Sequence, residues 1–470
     1  MILKQYYLGC LSHASYLIGD EGTKTAFVVD PQRDVDQYIN DAKQLGLTIQ
    51  HVILTHLHAD FVSGHLELRN RVGATIHIGA HAKTEYAVDP IHDGDVIETG
   101  SVRLQFLETP GHTPESVSVV VYDLQTKART GAVKPHAVLT GDTLFIGDVG
   151  RPDLMAAIGW TSAQLAGMMY DSLYNKLLAL PDETLVYPAH GAGSLCGKNL
   201  SKETVSTIGA QRKTNYALQP MTKEQFIAML TAEQPDAPEY FGYDATLNSK
   251  ERQTLEEMMT QTLHPLSAET IFALQTSGAQ LLDARNPVNF SAGHIIGSIN
   301  VGLNGQYATW AGTVLDPKKQ IIIIAEPGEE TSAAMRLGRI GFDRIAGYLE
   351  GGMTAQGIPK SMITQTALIN ANELAAEING KKAAMILDVR GPGEWNTKHI
   401  GGSVNIPLNH LRERLREIPK DENFVLHCQS GYRSSIAASI LQEAGIRNFK
   451  ELTGGFAAWE TQKHDTVSTG

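Results

Sequence analysis

An internal repeat constrains this chain more than any other feature. Residues 281–301, LLDARNPVNFSAGHIIGSINV, match residues 386–406, ILDVRGPGEWNTKHIGGSVNI. Asp283 aligns with Asp388, Arg285 with Arg390, His294 with His399 and Asn300 with Asn405, each pair 105 residues apart. Later, GYLEGGM (347–353) matches ELTGGF (451–456), which sets Gly351 opposite Gly454 at an offset of 103. Self-similarity at a fixed spacing means that one supersecondary unit has been used twice. In each copy short apolar runs alternate with helical segments, which predicts an α/β domain with a parallel sheet. The copies take residues 263–362 and 363–470, leaving 1–262 for a first domain. A chain of 470 residues has room for about three domains of ordinary size.

The first ~200 residues alternate β-like runs with Gly/Asp turns. AFVVD (26–30), HVILTH (51–56), ATIHIG (74–79), VRLQFLETPGH (102–112), SVSVVVYD (116–123), HAVLTGD (136–142) and TLVYPAHG (184–191) read as strands. Helices are expected at 34–45 and 161–180, and 201–265 reads as a helical, polar tail and linker. In four of the strands a metal-capable residue stands at or just past the C-terminal end: His56, His112, Asp142 and His190. One loop, THLHADFVSGH (55–65), also carries His58, Asp60 and His65. A single buried histidine is ordinarily a hydrogen-bonded core residue, and an aspartate after glycine is ordinary turn chemistry. Four such features at strand ends describe a site assembled from several loops.

THLHAD, then GHT, then GD, then PAHG resembles the metallo-β-lactamase fold, an αββα sandwich. TPGHTPES and GDVGRPDL narrow the resemblance to the persulfide dioxygenases, over residues 1 to roughly 250. The resemblance implies metal ligands His56, His112 and Asp142, with His58, Asp60 and His190 orienting ligands and bound water. Relatives of the glyoxalase II type carry His-x-His-x-Asp-His and hold two metals. Here the last histidine is Phe61, which has no lone pair to give, so one metal is expected. Two imidazoles and a carboxylate on one face suit Fe(II), which needs vacant positions; zinc is the alternative occupant. The implied reaction is oxidation of a thiol persulfide by O2 to sulfite and free thiol, in hydrogen sulfide metabolism. The thiol is left open among glutathione, coenzyme A, bacillithiol and inorganic polysulfide. Arg151 reads either as a clamp for a substrate carboxylate or as a surface ion pair, with Tyr216 and Lys213 as weaker candidates. Cys196, in HGAGSLCG, reads either as a sulfur relay at the mouth of the site or as loop packing. His13, His65 and Cys10 read as structural, Cys10 in the core.

A second site is written in VLHCQSGYRSS (425–435), where a strand ends at Cys428 and a helix begins near Ser434 and Ser435. Loop N–H groups and a helix N-terminus stabilise a thiolate, and Arg433 adds a bidentate cation for an anion. Cysteine phosphatases put five residues between cysteine and arginine; here four intervene, Gln429, Ser430, Gly431 and Tyr432. The shorter loop, with LDVR, HIGGSVNIP and LTGGFAAW, resembles rhodaneses. The match implies that Cys428 carries sulfane sulfur, linking persulfide, sulfite and thiosulfate, with Arg433, Ser430, Gly431 and Tyr432 around the donor or acceptor. In the first repeat Ala325 falls opposite Cys428 and Glu330 opposite Arg433, so that copy is expected to be inactive. A slip of one residue, which would set Glu326 there, leaves the conclusion unchanged.

A net charge of -12 argues against nucleic acid or an anionic membrane as partner. No apolar run approaches the roughly 18 residues of a membrane span, IIIIA at 321–325 included. The interrupted N-terminal segment does not read as a secretory signal. Three cysteines, Cys10, Cys196 and Cys428, are no disulfide framework, so a reducing cytoplasm is expected. Relatives of this kind commonly self-associate, so a homo-oligomer is expected. Two other classes stay open: a glyoxalase II-like zinc thioester hydrolase fused to a rhodanese, and a non-catalytic sulfur carrier or sensor.

Overall fold

A computed structural model describes residues 1–126, 133–155, 159–232, 234, 236–238, 240–380 and 385–469. The chain forms two compact units, Met1–Glu257 with Gly338–Gly341, and Met258–Leu337 with Phe342–Gly470. The break falls inside the helix Leu255–Thr262 with which the sequence reading closes its first domain, and both repeats pack into the second unit.

The first unit opens with β1 (Ile2–Leu8), β2 (His13–Asp20), β3 (Thr25–Val29), β4 (Thr48–Leu54), β5 (Thr75–Gly79) and β6 (Asp89–Ile91), which form one sheet in that order. The strands β7 (Val96–Thr99), β8 (Val102–Glu108), β9 (Val117–Asp123), β10 (Ala137–Gly141), β11 (Leu185–Pro188) and β12 (Ser206–Thr207) form the second sheet, in reverse order. Ile18, Phe27, Val29 and Ile53 of one sheet pack with Leu104, Phe106, Val119 and Leu139 of the other. These are the apolar alternates of each strand, so the inner faces close on one another. The outer face of the first sheet is covered by the helices Asp36–Gln44 and His65–Val72. Helices Ser162–Asp171 and Lys223–Thr231 cover the second, which completes αββα. The expected 161–180 helix is a broken one: after Asp171 it continues as a π-turn, Ser172–Lys176, and a 3-10 turn, Leu177–Ala179.

The second unit holds two parallel sheets of identical order. The first runs β13 (Pro265–Leu266), β18 (Ile345–Leu349), β17 (Ile321–Ile324), β14 (Gln280–Asp283), β16 (Ser298–Asn300), with the small pair β15 (His294–Ile295) and β19 (Ile363–Thr364) beside it. The other runs β20 (Leu368–Ile369), β24 (Phe449–Leu452), β23 (Phe424–His427), β21 (Met385–Asp388), β22 (Ser403–Asn405). Among the described residues no helix is long and apolar enough to cross a membrane.

Candidate metal centre and cysteine loop

The metal-capable residues lie beyond the ends of β4, β10 and β11 and in the β8–β9 connection. Gly141, at the end of β10, has φ +52, and a Cβ there would meet Thr55 Oγ1 at 2.6 Å. Only glycine lets Asp142 approach the loop after β4 so closely. One donor atom each from His56, His112 and Asp142 then lies within 4.8 Å of the others, all three side chains buried.

Hydrogen bonds fix which ring nitrogens are available. Thr55 Oγ1 donates to Asp30 Oδ2 at 2.8 Å, so it accepts from His56 Nδ1 at 2.9 Å. His112 Nδ1 donates to the Arg151 carbonyl at 2.9 Å. Both rings therefore keep a lone pair on Nε2, and both Nε2 atoms face Asp142 Oδ2, at 3.8 and 3.5 Å. His112 Nε2 is buried with no hydrogen-bond partner. Burial, then the neighbouring His58, holds His56 well below the usual histidine range, in the neutral form that coordinates. Two imidazoles around one carboxylate are a donor set that fits a cation.

His190 is committed elsewhere. Its Nδ1 donates to Asp142 Oδ1 at 2.8 Å and its Nε2 contacts Asp60 Oδ2 at 2.9 Å. Burial opposes a charged ring, but Asp142 and Asp60 outweigh it and raise the His190 pKa well above the usual value. His58 turns away from the three donors, its Nε2 3.0 Å from Asp30 Oδ1. Phe61 is buried, its ring 4.1 Å from the His13 ring and 4.4 Å from that of His58. Asp60, His190 and Cys196 form a second group of donors within 4.8 Å of one another. Cys196 is buried rather than at a mouth, and burial, then Asp60 and Asp142, push its thiol well up, toward the protonated form.

Arg151 is also buried, and its guanidinium binds both Asp153 oxygens at 2.7 Å and the Leu195 carbonyl at 3.2 Å. Its backbone oxygen holds His112 and its N–H donates to the Cys196 carbonyl at 3.0 Å. The arginine straps the site together, and of its two sequence readings the structure shows the ion pair, buried on the arginine side. Tyr216 donates to Asp148 at 2.7 Å, and Lys213 is solvent-exposed, so neither faces the metal centre. Cys10 is half-buried in the turn after β1, not in the core.

Two supporting residues escaped the sequence reading. Asp30, with φ +50, accepts from Thr55 N and Oγ1 and contacts His58. Asn248, at the end of the helix Tyr240–Asn248, donates to the carbonyls of His58 (2.8 Å) and Phe61 (2.7 Å) and accepts from Ser63 N (2.8 Å). The polar tail is thus the brace of the metal loop. Beside that loop lies a cavity of about 630 Å³, walled by Leu57, Ala59, Pro110, Met155, Trp160 and Phe241.

In the second unit, β23 ends at His427 and Cys428 follows, buried, with Gly431 N–H donating to its Sγ at 3.2 Å. The loop is cradled from below. Phe456 N donates to Cys428 O at 2.8 Å, and a Cβ on Gly455 would sit 2.4 Å from that oxygen. Arg433 forms a bidentate pair with Glu394 of the helix Pro392–Thr397, at 2.6 and 2.7 Å, so its charge is already answered by that acid. Ser430 is exposed; Gly431 and Tyr432 are half-buried. Sheet register fixes the repeat alignment: Asp388 pairs with His427 as Asp283 pairs with Ile324. Ala325 is therefore the counterpart of Cys428, and a Cβ on Gly352 would meet Ala325 O at 2.5 Å, as Gly455 meets Cys428. This register rules out the slip that would put Glu326 there.

Comparison with known proteins agrees with both halves. The pattern of the metallo-beta-lactamase superfamily matches residues 8–190, and that of the rhodanese-like domain matches 268–356 and 370–462. The fold and its His/Asp metal site define a member of the metallo-beta-lactamase superfamily, and the chain belongs to it. Its N-terminal domain is similar to the mitochondrial persulfide dioxygenase ETHE1 of Bos taurus, 30% identical over 234 residues, 49% of this chain and 80% of the relative. Two rhodanese-like domains follow. A crystal structure of a metallo-beta-lactamase from Staphylococcus aureus subsp. aureus COL is 33% identical, with a TM-score of 0.66 over 74% of this chain and 98% of its own. A hydroxyacylglutathione hydrolase of Dictyostelium discoideum is 30% identical over 183 residues, 37% of this chain and 61% of that protein.

Proposed function

We propose that this protein is a mononuclear iron persulfide dioxygenase with a sulfur-transferring cysteine on the same chain. The reading is carried by one observation: two histidines locked with Nε2 lone pairs toward one carboxylate, His112 Nε2 being buried and unpartnered. His56, His112 and Asp142 would hold the ion. When bound, ferrous iron supplies redox chemistry and vacant coordination positions. The overall reaction is RSSH + O2 + H2O → RSH + SO3²⁻ + 2H⁺. The outer sulfur gains oxygen, and the S–S bond breaks with a proton going to the thiol.

The chain's own residues bind, orient and exclude water. Thr55, the Arg151 carbonyl and His190 hold the three ligands in place. The apolar cavity beside the metal loop is the place for the body of a low-molecular-weight thiol. In the rhodanese-like half, Cys428 carries sulfane sulfur: Cys–S–S⁻ + SO3²⁻ → Cys–S⁻ + S2O3²⁻. Gly431 N–H supports the sulfur and Arg433 receives the anion by exchange with Glu394.

A zinc thioester hydrolase is the second reading, favoured by the donors Asp60, His190 and Cys196. Against it stand Phe61, in place of a ligand, and His190, held between two carboxylates. The test is metal analysis of anaerobically purified protein together with oxygen-electrode assays on persulfides. One iron per chain and O2 uptake are expected; two zinc ions and no uptake would defeat the proposal, and absence of any metal would favour a carrier. Replacing Cys428→Ser is expected to abolish sulfur transfer while leaving O2 uptake intact.

A further inference from the structure

The repeat that lacks a cysteine reaches the loop that has one. Tyr432, the first residue of the helix Tyr432–Glu443 that follows Cys428, donates its hydroxyl to the Gly302 carbonyl at 2.7 Å. Its ring lies on Gly302 and Gly305, where added Cβ atoms would come within 3.5 and 2.5 Å of ring carbons. The counterparts of these glycines in the other repeat, at the offset of 105, are Pro407 and His410. Only the cysteine-less copy therefore has the bare surface a tyrosine ring needs.

That surface is itself held. Arg336 donates to the Leu303 carbonyl at 2.6 Å and Leu303 N to Ala284 O at 3.1 Å. A second tie lies one turn along the helix. Asn300 Nδ2 donates to the Asp283 and Arg285 carbonyls, as Asn405 Nδ2 does to those of Asp388 and Arg390. Asn300 does more, because its Oδ1 accepts from Ser435 Oγ at 2.7 Å and its backbone N–H donates to Ser439 Oγ at 3.2 Å. The helix Tyr432–Glu443 is buried continuously from Ser434 to Gln442, against its own sheet on one side and the other repeat on the next.

We propose that the cysteine-less repeat is a positioning clamp for the Cys428 loop, acting through Asn300, Gly302 and Gly305 on Tyr432 and Ser435. A loop whose N–H groups must converge on one sulfur works only in one geometry, and here part of that geometry is set from the neighbouring domain. The proposal rests on the reading of Cys428 as a sulfur carrier, so its test includes a readout independent of turnover.

The perturbation is Gly305→Ala, made in a domain with no nucleophile. Gly305 lies outside the left-handed region, and the nearest atoms to an added methyl are those of the Tyr432 ring. In the full-length protein, sulfur transfer to sulfite is expected to fall about tenfold, the scale of an overpacked contact. Iodoacetamide alkylation of Cys428, followed by peptide mass, is expected to change rate by a similar factor, while O2 uptake on persulfide stays within about twofold. Combined with Tyr432→Ala, Gly305→Ala is expected to add nothing, because its effect passes through that ring. Should the alanine disturb folding, Ser435→Ala removes the tie to Asn300 without bulk, and a loss of about threefold is expected. Unchanged alkylation and transfer in both variants, or losses that add to that of Tyr432→Ala, would overturn the clamp. A wild-type chain that transfers no sulfur, yet alkylates more slowly or faster after Gly305→Ala, would retain the clamp and defeat the carrier reading.

Discussion

Glu451 is a buried acid beneath the cysteine loop, and replacing it by glutamine tests how that loop is built. The residue lies on β24 and is 5% exposed. Its carboxylate accepts from Ser434 Oγ at 2.6 Å. Burial raises its pKa from 4.5 to about 7, against the opposing effect of the Ser434 bond. The unfolded chain releases this proton near 4.5, whereas the folded chain keeps it to about 7. Between those values the native state binds more protons, so stability falls as pH rises; below the window the group costs nothing, and above it the cost is complete. At about 1.4 kcal/mol per unit of pKa, the ionised side chain costs the fold about 3 kcal/mol at pH 8. Glu451→Gln keeps the shape and removes the charge, so the variant is expected to be more stable than the parent at about pH 8, with the difference fading toward about pH 5. Three of the four tryptophans, Trp310, Trp395 and Trp459, lie in the second unit, so fluorescence-detected urea unfolding of the full chain reports mainly on it. A gain independent of pH, or no gain at about pH 8, would refute the reasoning.

Asn248→Ala leaves two buried carbonyls and one buried N–H of the metal loop without their partner. Each such loss costs about 1–3 kcal/mol, so a drop in metal affinity of at least about tenfold is expected in chelator competition, with the second unit unaffected. Phe61→His adds an imidazole next to Asp60 in the metal loop, against the rings of His13 and His58; metal analysis is expected to move from one ion per chain toward two, and O2 uptake to fall. Glu394→Gln releases the bidentate hold on Arg433. Removing a competitor worth about 1 kcal/mol is expected to lower KM for sulfite or thiosulfate roughly threefold to tenfold, with little change in alkylation of Cys428.

The parts of this molecule that were legible in sequence are those whose chemistry is local. His56, His58 and Asp60 share one loop, Cys428 and Arg433 share another, and the repeat announces itself by its own spacing. Strands with largely apolar runs, β3, β9 and β10, were readable because both faces are buried. The edge strands β6 and β7 were not: they are short, partly exposed and carry little periodicity. The supporting groups were hidden for another reason. Asp30 and Asn248 meet the metal loop across 25 and 190 residues of chain, and no pattern in one sequence marks a hydrogen bond closed over such a distance.

The same distinction bears on Arg151 and Cys196, which the sequence left open between reactive group and structural prop and which the fold buries. An arginine in GDVGRPDL and a cysteine flanked by glycines carry the right atoms, but the nearest partner decides their use. Asp153 stands two residues from Arg151 and takes both ends of its guanidinium. Cys196 is buried beside two carboxylates, which favour its neutral thiol. Arg433 differs in one respect. It too is met by an acid, Glu394, but that pair is partly exposed, with side-chain accessibilities of 21% and 40%. An exposed pair is worth little in water, so an incoming anion can displace the carboxylate, whereas an anion competing for Arg151 would have to reach a guanidinium that is itself buried, its side chain 2% exposed. Exposure of the cation, more than identity of the residue, is the ground for proposing Arg433 rather than Arg151 as the one that serves a ligand.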